Sequence, residues 1–244
     1  MNTGSSGGNM KDNKKEQDQE LALSQVKKSV DQVYDSIMGN ALFILVNIHI
    51  LIFLLFAEPE NLAVYYLLMA VVMIPLYPAY TALYIALGGA GEDKSSIYKR
   101  FFEGYRKQFK KTIVLGTLGS FFTAFMLYNS LFFSIIDQNG MRRAVDILLI
   151  FVLMFLLGLV PLIAEEKGTL KEHLKKMRMK LFQGVLRGAA ALLILFVSVY
   201  FGRLIIFPLV IGFSLAAYVQ RILYKHQKDR DLSEKQEANK KTRK

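Results

Sequence analysis

The stretch SIMGNALFILVNIHILIFLLFA, Ser36 to Ala57, contains no aspartate, glutamate, lysine or arginine, and five further intervals share that property. They run from Asn61 to Gly91, Thr112 to Ile136, Ile147 to Ala164, Gly188 to Gly202 and Leu204 to Gln220. A helix needs about 20 predominantly apolar residues to cross a hydrocarbon core, at about 1.5 Å per residue. The first four intervals meet that need. The last two are short, and Gly202-Arg203 reads either as a tight connection between two spans or as a break in one long tilted helix. The second interval is longer than one span requires and holds Pro75 and Pro78, which predicts a kink or a helix that begins again near Leu76.

Charge is crowded between these intervals. Lys+Arg outnumber Asp+Glu by 31 to 20 while 53% of residues are hydrophobic, so apolar blocks alternate with basic ones, as in a polytopic membrane protein. Six spans with both termini inside put 28 of the 31 Lys/Arg on the cytoplasmic side and leave only Arg142, Arg143 and Arg203 outside. Five spans would send the basic end RILYKHQKDRDLSEKQEANKKTRK outside, against the same rule. The expected fold is therefore all-α: a six-span transmembrane helix bundle in a plasma membrane, with amphipathic cytoplasmic elbow helices. Residues 1–20 read as a disordered polar tail, 21–35 as an amphipathic juxtamembrane helix, 36–224 as the membrane domain and 225–244 as a basic disordered tail. No cleavable secretory signal is visible, and the first apolar block reads as an anchor.

The segment ALGGAGEDKSSIYKRFFEGYRKQFKK has a glycine-rich turn ahead of Lys94-Ser95, but a phosphate-cradling loop needs glycine directly before the lysine, and Asp93 stands there. The residues after the turn are amphipathic. Tyr98, Phe102, Tyr105 and Phe109 recur at helical spacing, with Arg106, Lys110 and Lys111 on other faces, so the elbow at 97–111 is suited to a headgroup layer with anionic lipid or to packing beneath the bundle. A second elbow at 169–183 carries the same pattern. Aligning 97–116 with 169–188 pairs Phe102 with Leu174, Tyr105 with Met177, Arg106 with Arg178 and Gly116 with Gly188, so the chain reads as two span, elbow, span units.

The run PLYPAYTALYIALGG and the elbow SSIYKRFFEGYRKQFKKTIVLG after it resemble the YesL-like family of small integral membrane proteins of Firmicutes. Pro78, Ala79 and Ala82 match its proline-alanine stretch, while Phe101 or Phe102, Tyr105, Phe109, Lys110 and Lys111 match its elbow. The resemblance extends over most of residues 30–224. It implies a membrane accessory role beside carbohydrate ABC importers and two-component regulators, with transporter or sensor subunits as partners.

No catalytic constellation accompanies this pattern: there is no H-E-x-x-H, no G-x-S-x-G and no cysteine, so neither an enzyme nor a cofactor or metal site is expected. Nor is nucleic acid an expected partner, since the basic blocks flank membrane intervals. His49 is the ionisable group nearest the middle of a span and, with Asn47, is the candidate intramembrane polar site; a neutral imidazole paired to a neighbouring helix is the favoured reading. Glu165-Glu166 reads as a solvated pair at a helix end, Asp146 as an ion-pair partner of Arg142 or Arg143, and Arg187 as a snorkelling side chain. Leu23, Val26, Val30, Val33 and Ile37 form a short a/d seam that could lie on the membrane, pack on the elbows or dock a partner. Two functions fit these features: a non-enzymatic membrane accessory or scaffold, or a small solute transporter built on the repeat.

Overall fold

Helix propagates along these apolar intervals until something removes a donor or turns the backbone, and the element boundaries fall at such residues. The structure is a computed structural model that describes residues 7–89, 95–201 and 211–242. In chain order the helices are α1 (Gly7–Val46), α2 (Ile48–Phe56), α3 (Leu62–Val72), α4 (Leu76–Gly88), α5 (Ile97–Ile135), α6 (Asn139–Glu165), α7 (Leu170–Met179), α8 (Leu181–Phe201) and α9 (Phe213–Thr242), with no strand among the described residues. Asn61 opens α3 by accepting from the Ala63 and Val64 N–H groups, so two N-terminal donors are satisfied by one side chain. Pro75 supplies the break expected near Leu76, where α4 begins.

Four helical stretches among the described residues are long and apolar enough to cross a membrane: Leu62–Gly88, Ile97–Ile135, Asn139–Glu165 and Leu181–Ser198. Taken as one broken span, α1 and α2 make a fifth, bent by 54° at Asn47. The interval from Leu204 to Gln220 lies partly outside the described residues, as do Gly202-Arg203, Pro208 and the turn at Asp93-Lys94. The basic starts of α5 and α8, α7 and much of α9 lie at the same end of the bundle as the acidic end of α6.

The core centres on α4. Its Ala79, Ala82, Leu83 and Ala86 are fully buried, and the small side chains let α1, α5, α6 and α9 close around it. Glycines do the same elsewhere. A methyl group at Gly116 would sit 2.5 Å from Ile74 O, and one at Gly188 would strike Met154 O, so α5 and α8 each lie on the backbone of the preceding span. Gly116 and Gly188 are the residues the two-unit alignment pairs.

The two elbows differ. The first elbow is not a separate element: nothing between Ile97 and Ile135 breaks the helix, and 97–111 continues the axis of the span. The second elbow is separate, because α7 ends at Lys180, whose backbone leaves helical geometry at φ −116°, ψ 38°. In the described residues α1 starts at Gly7 and α9 runs to Thr242; Arg230 and Glu234 face each other at i, i+4 along α9, and Asp231 pairs with Lys180.

Prolines set the polar cross-links between helices. Pro161 has no N–H, so Leu157 O loses its helical donor; Gln220 Nε2 donates to it at 3.1 Å, and Gln220 Oε1 accepts from the Tyr80 hydroxyl at 3.2 Å. At the other break, Leu76 N–H bonds Met73 O, leaving Val72 O for His49 Nε2 at 2.9 Å. Gln220→Leu should therefore lower stability by about 1–3 kcal/mol, since it orphans a buried carbonyl and a buried hydroxyl. Pro161→Ala added to it should restore part of the loss by returning a backbone donor to Leu157 O, and denaturation in mild detergent measures both. A double variant no more stable than Gln220→Leu would show that this carbonyl needs no partner.

Candidate functional site

Glu165 and Glu166 end α6 at the basic end of the bundle, and they are not a solvated pair. Tyr84 from α4 donates to Glu165 Oε1 at 2.9 Å, and Tyr224 from α9 donates to Glu166 Oε1 at 2.8 Å. Lys176 from α7 closes an ion pair on Glu166 Oε2. Arg187, on the second turn of α8, does not snorkel to water: it is 4% exposed, its Nη1 donates to Gln227 Oε1 at 2.8 Å, and its guanidinium stands 5.1 Å from the Tyr224 ring centre. Five helices thus meet in one polar cluster of carboxylates, tyrosine hydroxyls and a buried guanidinium. Such a cluster can hold charge away from water and can bind a small charged group at its edge.

His173 lies one turn into α7 and is 1% exposed, with neither ring nitrogen hydrogen-bonded. Burial, and then the charge of Lys111, hold it below the usual imidazole value. Burial pushes Glu166 up, but the Lys176 and Tyr224 hydrogen bonds and the Lys176 charge outweigh it, so its carboxyl sits below the usual range. Burial and the bond to Glu166 raise Tyr224.

The elbow residues divide. Tyr98, Phe102 and Phe109 are exposed and Tyr105 half-buried, with the ring pairs Tyr98–Phe102 at 4.7 Å and Tyr105–Phe109 at 5.4 Å, and Arg106 and Lys110 are exposed nearby while Lys111 is half-buried. The inner face of the same segment carries Ile97, Phe101 and Arg100, and Arg100 Nη2 reaches Asp35 of α1 at 2.5 Å in a buried ion pair. In the second elbow Arg178 is exposed and Leu174 half-buried, but Met177 is fully buried against Leu159, Ile163 and Tyr224. Met177 therefore faces neither lipid nor a partner: its side chain fills the space above Gly158 and Gly184, where an added methyl would collide with it.

Asn47 marks the α1–α2 bend. Its Nδ2 donates to Phe43 O at 2.8 Å, and its Oδ1 is buried without a hydrogen-bond partner. His49, two residues on, bonds the α3 backbone at Val72 O, so the intramembrane polar pair stitches the first apolar helix to its neighbour. Asp146 accepts from Ser130 at 2.6 Å and lies 3.9 Å from Arg142. On the α1 seam, Leu23, Val26, Val30 and Val33 are all more than half exposed.

The cluster around Glu165 and Glu166 was not legible in the sequence. Its signal was two tyrosines, Tyr84 and Tyr224, each near the end of a charge-free interval, whose partners lie 81 and 58 residues away.

Fold and site together define an all-helical chain with four to five membrane-length apolar helices and a polar cluster at its basic end. Residues 37–130 match the family described as "Protein of unknown function, DUF624", which covers the end of α1 through most of α5. No curated protein matches the chain, and no solved structure does. Among the described residues no cluster of His, Cys, Asp and Glu has the geometry to hold a metal ion.

His173 and Glu166 act on stability with the same sign. A group whose folded pKa lies below its unfolded value contributes stability above the unfolded pKa and loses it as pH falls. For His173 that loss begins at the free imidazole value of 6.5; for Glu166 it begins near 4.5. Midpoint temperature in detergent should thus fall between about pH 7.5 and about pH 5.5, and His173→Phe should flatten that dependence. An unchanged slope in the variant would mean that another group governs it.

Proposed function

We propose that this chain is a non-enzymatic integral membrane accessory or scaffold protein of the YesL-like kind. It crosses the plasma membrane six times with both termini in the cytoplasm, and its basic face engages anionic lipid and a membrane partner. The observation that carries this reading is the outward stripe at the start of α5: Tyr98, Phe102 and Phe109 stand exposed beside Arg106 and Lys110, on a helix whose opposite face is anchored to α1 and α4. A helix face that pairs exposed rings with cations suits a headgroup layer or an acidic, apolar partner surface. The partner class is a carbohydrate importer of the ABC type or an associated two-component sensor, the assembly implied by the YesL-like resemblance.

Crosslinked pull-down from native membranes tests the reading. The wild-type chain should bring down another membrane complex, and the triple variant Tyr98→Ala, Phe102→Ala, Phe109→Ala should lose it. Recovery of the chain alone from both, with no uptake or signalling phenotype on deletion, would remove the accessory role. Topology is tested separately, since a chain without cysteine allows single-cysteine labelling. An impermeant reagent should reach a cysteine at Asn139 and miss one at Ser96 or Ser233.

A small solute transporter is the second reading. What favours it is a largely apolar cavity of about 180 Å³ among α1, α3 to α6, α8 and α9, bordered by Tyr77, Ser120 and Thr123 and lying beside the Pro75 break. The matching seats of Gly116 and Gly188 support the internal repeat that such a transporter would use. Purified protein should then accelerate solute flux into liposomes, and a broad panel without flux would exclude it.

A further inference from the structure

A second cavity, of about 330 Å³, opens between the end of α6, α7, the start of α8, and α9. Four cations border it, Lys176, Lys180, Arg187 and Lys228, against two carboxylates, Glu166 and Asp231. Both carboxylates are already taken. Lys176 pairs with Glu166 and Lys180 with Asp231, which leaves Arg187 and Lys228 with no carboxylate in ion-pairing range among the described residues. Arg187 is the unusual member, because it is a 4%-exposed guanidinium with a single hydrogen bond, to Gln227, and its Nε has no partner. A desolvated cation without a counter-ion costs several kcal/mol, and an anion seated in the adjoining cavity would offset that cost.

The cavity is also two-natured. Leu162, Met179 and Leu232 share its wall; Met179 and, just outside the cavity, Phe182 are among the most exposed apolar side chains of the described residues. From Phe182 the exposed apolar face of α8 continues through Leu186, Leu193 and Phe196, the face a lipid-crossing helix turns to acyl chains. A ligand that fits has a compact anionic head with several acceptor oxygens and an apolar tail beginning next to it. We propose that this cavity holds the phosphate of an anionic phospholipid, with Arg187 and Lys228 as its counter-charges and the acyl chains laid along α8. The site lies on the second elbow, away from the α5 stripe. It rests on the accessory reading only in placing α8 in lipid.

The test uses the full chain in a non-ionic detergent, titrated with short-chain phosphatidic acid or phosphatidylglycerol and, separately, with inorganic phosphate, read by native mass spectrometry and by the shift in midpoint temperature. Wild type should bind one anionic lipid saturably, and phosphatidylcholine should not compete. Arg187→Gln should weaken binding about tenfold or more, the range expected for losing a charge-assisted hydrogen bond, and should not lower stability in the absence of lipid. Lys228→Gln, on an exposed side chain that leaves the fold intact, should weaken it about threefold. Lys110→Gln, on the α5 stripe, should leave it unchanged. Inorganic phosphate that binds as tightly as the lipid and displaces it would make the ligand a soluble phosphate and overturn the lipid assignment. Non-saturable lipid binding, or equal binding by wild type and both cavity variants, would overturn the site altogether. Loss of partner capture by the stripe variant with lipid binding intact would separate the two readings.

Discussion

A carbonyl oxygen that loses its helical donor inside a hydrocarbon layer can be satisfied only by a neighbouring protein group, and that requirement organises the middle of this bundle. Pro161 exposes Leu157 O, and α9 answers with Gln220, which in turn holds the Tyr80 hydroxyl of α4. The break at Pro75 exposes Val72 O, and the first apolar helix answers with His49. Pro78 removes the donor of Ile74 O, and α5 brings Gly116 against that oxygen with no side chain between them. Each of these three prolines thus specifies a neighbour. Apolar packing alone is weakly selective between helices in lipid, so these few polar closures fix which helices lie side by side.

The same logic explains why polarity increases toward the basic end. There the helices end, backbone carbonyls and long side chains meet, and water or headgroups are near. The carboxylates of Glu165 and Glu166 are held by hydroxyls from α4 and α9, so the end of α6 is tied to elements from both ends of the sequence. Arg100 and Asp35 make the equivalent closure between α5 and α1, again with buried groups. Breaking either closure would leave a charge with low access to solvent, which is a stronger constraint on helix placement than the surface pairs Lys99–Glu103 and Arg230–Glu234 supply.

Local signals were legible in the sequence and distant ones were not. Asn61 and Pro75 mark their boundaries to within a residue or two, because a capping side chain and a missing N–H act on their own backbone. The bend at Asn47 and the stop at Lys180 carry no glycine or proline, so no local signal marks them. Composition is silent on a partner such as Lys180 for Asp231, 51 residues away. Arg187 had the spacing of a snorkelling residue. Only the approach of Gln227 and Tyr224 from α9 shows that its head is enclosed.

The two elbows make the limit of periodicity concrete. Phe102 and Leu174 occupy matched positions, as do Tyr105 and Met177, and the apolar stripe is equally regular in both. Their surroundings differ because α5 runs unbroken from elbow to span whereas α7 ends at Lys180, where the backbone leaves helical geometry. A straight helix keeps its stripe facing outward. A turned one drives it inward, and Met177 then fills the space that Gly158 and Gly184 leave open, holding α6 and α8 close enough that a methyl group at Gly158 would strike Gly184 O. The turn that buries Met177 also carries Lys176 and Lys180 over the end of α6 and the flank of α9, walling off a charged cavity that the straight elbow has no means to form. One repeated pattern therefore yields a surface in the first unit and an enclosure in the second, and the break at Lys180 is the physical origin of the difference.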